Sequence, residues 1–372
     1  NYPFILTPTY QCNSSITITK TRQSLGASPT KLRHTLTSLY SGYLRRCFRT
    51  AGLSSQSIAV DEETTLHFWG PTPKSTNQTT QNKKPSLVLI HGFGAMAIWQ
   101  WREQVHFFSP HFNAVCVGKL MEKLEVKKFD VVGTSYGGFV AYNLAMVLGE
   151  ERVEKVVIAC SGVNMKKSDN VSLLERAEMD KVEDLLLPST PQCFRKLMTL
   201  CVFSMPFHIP DFFLNDFLKS GNNGTPQWLE ASRLQSGPTG CSINSGMLTL
   251  VARSDPGMLA LAARSLILFT THNVSVTMTL YSDNRKEKVE LLHGISLGKD
   301  DSSNISPLQQ EVLIIWGEND QIFPVQMAHE LKEVISNNKA KLELIKKASH
   351  APQMEKPREF NDIILNFLQE SP

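Results

Sequence analysis

A serine at 135, an acid at 320 and a histidine at 350 have the types and the order needed for acyl transfer. Ser135 stands in Gly133-Thr134-Ser135-Tyr136-Gly137, after an apolar run that starts at Phe129 and before an apolar-periodic stretch, Tyr136 to Leu148. A G-x-S-x-G pattern between a buried strand and a helix makes a sharp turn. Such a turn lifts the serine hydroxyl above the sheet edge and aims the helix N-terminus at a reacting carbonyl. Glycines at its flanks remove the Cβ clashes that the turn would otherwise create.

A serine hydroxyl is a poor nucleophile until a base takes its proton, so the pattern requires a histidine held by a carboxylate. His350 lies in Ala348-Ser349-His350-Ala351-Pro352, between the last strand expected and the last helix. His329 and His293 fall within helical patterns and read as surface or cap residues. Asp320 follows a buried strand in Trp316-Gly317-Glu318-Asn319-Asp320, where Glu318 is a rival acid. Acyl transfer also needs donors for the oxyanion, each worth about 3 kcal/mol of barrier. One is the backbone N–H of Tyr136. The second is expected from His91-Gly92-Phe93-Gly94, through Phe93 or Gly94, with His91 anchoring the loop.

These residues must be held by a sheet. Strands are expected at 57–63, 64–69, 86–90, 112–117, 129–133, 155–160, 311–316 and 341–345, and helices at 97–108, 118–125, 136–148, 325–336 and 357–368. The alternation predicts an α/β fold with a mostly parallel sheet and chemistry at the carboxyl ends of its strands. Between 160 and 311 the alternation stops, so an insertion is expected there.

The composition, 41% apolar and 20% charged over 372 residues, is that of a globular chain. The net charge of +3 combines +7 within residues 1–60, which hold no acid, with −4 over the remainder. The mildly acidic body excludes a basic nucleic-acid footprint. The basic, Ser/Thr-rich start reads as a tail or an organelle transit peptide over residues 1–56, so the compartment expected is the cytoplasm, with chloroplast or mitochondrion open. Seven scattered cysteines without a close pair argue against a disulfide framework or a zinc site, and no metal or cofactor is expected. The longest apolar stretch, 257–269, is interrupted by Arg264 and is too short to span a bilayer, which leaves peripheral membrane contact open.

HGFG at 91–94, GTSYGG at 133–138, WGENDQIFP at 316–324 and HAPQMEKP at 350–357 together resemble the α/β-hydrolases, and among them plant hydrolases similar to monoacylglycerol lipases and carboxylesterases. The resemblance runs from about Leu39 to the C-terminus. It implies Ser135 as nucleophile, Asp320 as orienting acid, His350 as general base, and Phe93 with Tyr136 as oxyanion donors. It also implies a core at 57–162 and 311–372, with a helical cap at 163–310 between the sixth and seventh strands. Two departures stand out. The crossover 118–128 is short for a connection that must step over a strand, and 220–279 interrupts the cap with a segment poor in charge.

Six of the nineteen phenylalanines fall within 194–217, so the cap is expected to face apolar acyl esters of the monoacylglycerol kind. A ligand receptor of the same fold with little turnover, and an inactive product of splicing or a gene-model error, are the rival readings.

Overall fold

The computed structural model describes residues 36–59, 65–72, 84–93, 97–115, 126–204, 305–335 and 339–370, with scattered positions between 211 and 292. The described residues form two sheets, one of six strands and one of two. Six strands, β3 (Ser86–Ile90), β4 (Asn113–Val115), β5 (Phe129–Thr134), β6 (Val153–Ala159), β7 (Glu311–Gly317) and β8 (Ala340–Ile345), pair in the order β4-β3-β5-β6-β7-β8, all parallel. β5 is buried at every residue and β7 at all but the first, which is why both read as continuous apolar runs. β8 closes the edge and alternates buried with exposed positions. Because β3 lies between β4 and β5, the chain after β4 does step over a strand. The helix expected at 118–125 lies outside the described residues, as does the insert at 220–279.

The expectation of a tail over 1–56 is corrected from residue 36 onward. Leu36–Thr50 forms α1, whose Tyr40, Leu44 and Phe48 recur every fourth residue and are buried. The rings of Tyr40 and Trp99 meet edge to face at 4.9 Å, those of Phe48 and Trp69 at 5.2 Å, and Trp99 Nε1 donates to Ser41 Oγ at 3.0 Å. β1 (Leu53–Ala59) then pairs antiparallel with β2 (Thr65–Pro71), so the first strand starts four residues earlier than expected. Its sequence, Leu-Ser-Ser-Gln-Ser-Ile-Ala, carries too little apolar alternation to mark its start. Residues 1–35 lie outside the described residues.

The single helix expected at 97–108 is two pieces, α2 (Ala97–Gln100) and α3 (Arg102–Phe108). Trp101 adopts φ −102° and ψ 16° between them, yet its N–H donates to Ala97 and its carbonyl accepts from Val105, so the ladder continues across the break. After β5 comes α4 (Tyr136–Leu148), packed on β5 and β6. Between β6 and β7 stand α5 (Lys167–Ala177), α6 (Val182–Leu186) and α7 (Pro191–Cys201). α8 (Val325–Ile335), α9 (Pro352–Glu355) and α10 (Pro357–Gln369) complete the chain. Among the described residues no helix is long and apolar enough to cross a membrane.

Candidate active site

Ser135 joins β5 to α4 with φ 53° and ψ −121°, a conformation that costs a non-glycine residue on the order of 1–3 kcal/mol. The surroundings over-determine it. Its N–H donates to Ala159 O at 2.9 Å, and its carbonyl accepts from Ser161 Oγ at 2.6 Å and from Gly138 N at 2.9 Å. A Cβ at Gly133 would stand 2.1 Å from Gly137 O, and one at Gly137 would stand 2.2 Å from Ile90 O. The two outer glycines of the motif are therefore required by backbone contact.

His350 Nε2 lies 3.0 Å from Ser135 Oγ, and His350 Nδ1 lies 2.9 Å from Asp320 Oδ2. Three residues separated by up to 215 positions thus meet in one line of hydrogen bonds. Since a carboxylate only accepts, Nδ1 carries the proton and Nε2 is left with a lone pair facing the serine hydroxyl. Asp320 Oδ1 accepts from Ile322 N and Phe323 N, each at 2.9 Å, so both oxygens of the buried carboxylate are engaged. Glu318, the rival acid, is exposed. The Phe323 ring meets the His350 ring edge to face at 5.4 Å and shields it. His329 is an exposed residue of α8, and His293 lies outside the described residues.

Cys160 sits behind the pair, its sulfur accepting from Gly317 N at 3.4 Å. Its ligand atom, with those of Asp320 and His350, falls within a 4.8 Å cluster of the kind a metal ion uses. The set does not fit one. Burial, reinforced by the Asp320 charge, pushes the thiol well above its ordinary value and keeps it protonated, while the Nδ1 proton of His350 is committed to Asp320.

Tyr136 is the first residue of α4, so its N–H has no acceptor within the helix. Phe93 lies beside it, the two rings edge to face at 6.5 Å, and Gly94 lies outside the described residues. The loop holding Phe93 is fixed on its N-terminal side. Gly92 N donates to Gln100 Oε1 at 2.6 Å, and His91 Nδ1 donates to Gly92 O at 3.0 Å. Burial lowers the His91 imidazole below its ordinary value, which keeps it neutral as an anchor.

A cavity of about 420 Å³ opens over Ser135 and His350. Its walls are largely apolar, with Phe139 from α4, Leu173 and Leu174 from α5, Leu186 from α6, Leu197 from α7 and Phe323 from the Asp320 loop. Burial pushes the Tyr136 phenol up, as a dry wall requires.

Ser161, Gln100, Ser349 and Glu355 hold this site and were not singled out from the sequence. Their roles come from contacts across the fold that no local spacing announces, although Glu355 lies within the quoted motif at 350–357 and Ser349 directly precedes it.

A model of the alpha/beta hydrolase family matches residues 112–363. The chain is 22% identical over 316 residues to a human protein named monoacylglycerol lipase ABHD6, covering 77% of this chain and 75% of that one. The mouse protein of the same name is 24% identical over 318 residues, covering 77% and 76%. Among solved structures, a bacterial membrane phospholipase A matches with a TM-score of 0.55 at 16% identity over 90% of each chain. Carboxylesterase CesB (YbfK) from Bacillus subtilis matches with 0.51 at 13% identity over 89% of this chain and 98% of its own. At such identities these structures speak for the fold alone. The family match spans more than half of the sequence and contains all three residues of the hydrogen-bonded line, and the chain belongs to the alpha/beta hydrolase family.

Proposed function

We propose that the protein hydrolyses carboxylic esters through an acyl-enzyme formed on Ser135. The observation that carries the reading is the 3.0 Å contact between Ser135 Oγ and His350 Nε2 with Asp320 behind it. His350 takes the serine proton as Oγ attacks the ester carbonyl, and Asp320 stabilises the imidazolium that forms. The tetrahedral oxyanion is held by the N–H of Tyr136 and by the N–H of Phe93 or Gly94. His350 then returns the proton to the leaving alcohol, and a water repeats the sequence on the acyl-enzyme to release the acid and restore Ser135.

Residues 163–310 act as the cap, and its apolar lining supports esters with apolar acyl chains. The names of the mammalian relatives support a monoacylglycerol-like substrate. A fluorophosphonate probe tests for an activated serine without a guess at substrate. We expect labelling of the folded wild type, its loss in Ser135→Ala, and a fall in ester turnover of about 10⁶ in that variant. Absence of labelling would support an inactive product. Labelling without multiple turnover, joined to ligand-dependent partner binding, would support the receptor reading.

A further inference from the structure

Glu355 joins two parts of the chain that both border the cavity. Its Oε1 accepts from Ser349 N at 2.7 Å, next to His350, and its Oε2 accepts from Phe203 N at 2.8 Å, two residues after α7 ends. A second tie runs in parallel. The Ser349 hydroxyl, fully buried, lies 2.9 Å from Leu200 O in α7 and 3.0 Å from Asn319 O beside Asp320, one proton shared between two carbonyls. Burial pushes the Glu355 carboxyl up, while the two N–H donors favour its charged form. Both carboxyl oxygens are thus engaged, one on each part of the chain.

The other face of α7 belongs to the cavity. Leu197 and Cys201 line it together with His350 and Ala351, while Leu200 and Phe203 make the ties to Ser349 and Glu355. Leu197 and Cys201 thus belong to the wall that an acyl chain on Ser135 meets as it lengthens. A hydrogen-bonded general base loses catalysis steeply with misplacement, about a hundredfold for 1 Å.

We propose that Glu355 is a positioning residue that, with Ser349, couples the seating of α7 by an acyl chain to the placement of His350, so that longer acyl chains raise kcat as well as binding. This rests on the ester-hydrolase reading of the same site. The coupling is a specificity device, since the cap-filling substrate holds its own base in the geometry that the reaction needs.

The experiment compares p-nitrophenyl octanoate with p-nitrophenyl acetate for wild type, Glu355→Gln, and Phe203→Pro, which removes the N–H donor on the α7 side and leaves Glu355 intact. Phe203→Ala keeps that N–H and serves as the side-chain control. The octanoate-to-acetate ratio of kcat should fall about tenfold in Glu355→Gln and Phe203→Pro and stay near the wild-type value in Phe203→Ala. Equal losses on both esters, or a change confined to KM, would overturn the coupling. Amide exchange supplies a second reading that needs no turnover. Glu355→Ala, which removes both acceptor oxygens, should speed exchange at Phe203 and Ser349 together, and a rise at only one of them would overturn the clasp. A wild type that turns over neither ester would instead count against the hydrolase reading, with the exchange result still deciding the clasp.

Discussion

The two oxygens of Asp320 have separate tasks: Oδ2 accepts a hydrogen bond from His350 Nδ1 at 2.9 Å, while Oδ1 accepts from the N–H groups of Ile322 and Phe323. Asp320→Asn separates them. The amide oxygen continues to serve Ile322 and Phe323, and the amide NH₂ faces Nδ1, which must then accept and moves the ring proton to Nε2. Ser135 would meet a donor in place of a base. We expect kcat to fall about 10⁴-fold while the melting temperature stays near that of the wild type. Steady-state turnover on any accepted ester, beside a thermal melt, checks both halves, and activity within tenfold of wild type would remove Asp320 from the line.

A different kind of test addresses α1. Gly42 lies on its exposed side, and a Cβ built there meets nothing within 4 Å. Gly42→Ala should stabilise the protein by about 0.5–1 kcal/mol, because alanine loses less backbone freedom on entering a helix. The urea midpoint measures it. An unchanged midpoint would mean that residues 36–50 unfold separately from the sheet, as a tail would.

Much of the site could be read from the chain because its demands are local. Gly133 and Gly137 betray the turn at Ser135, since any side chain there meets backbone within about 2 Å, and the apolar runs of β5 and β7 mark strands covered on both faces. The choice between Glu318 and Asp320 came from the resemblance and not from the local pattern. Both follow β7, and only the folded loop shows that 320 turns inward to the N–H groups of 322 and 323 while 318 faces solvent. α1 was hidden by its charges: Arg45, Arg46 and Arg49 dominate the composition, while Tyr40, Leu44 and Phe48 do the packing. Ser161 and Glu355 act through partners 26 and 152 positions away, which a one-dimensional pattern does not carry.

Gly317 ends β7 beneath the histidine loop. A Cβ there would stand 2.1 Å from Ser349 O and 2.6 Å from Ala348 O, both backbone atoms that cannot rotate away. Gly317→Ala should therefore push residues 348–350 outward, costing about 1–3 kcal/mol of stability through overpacking and moving His350 away from Ser135. The fluorophosphonate labelling rate, measured at a temperature where a melt proves the variant folded, should drop at least on the order of tenfold. A variant that melts lower yet labels at the wild-type rate would show that the loop adapts without moving the base.

Asp130 lies near the start of β5, at the end of the parallel sheet remote from Ser135, and is buried there. Burial, with the Glu154 charge adding to it, pushes its carboxyl from the ordinary 3.8 to about 7, against the opposing N–H of Lys155, which donates to Oδ1 at 3.1 Å. A carboxyl raised in the folded state binds its proton more tightly there than in the unfolded chain. Its contribution is fully present below about pH 4, is lost as pH rises toward 7, and changes no further above that. Asp130→Asn keeps an acceptor for the Lys155 N–H and removes the ionisation. The variant should gain on the wild type as pH rises, by roughly 2 kcal/mol more at pH 8 than at pH 5. Urea unfolding at the two pH values measures that difference, and an equal gap at both would mean that Asp130 ionises in the folded protein as freely as in the unfolded one.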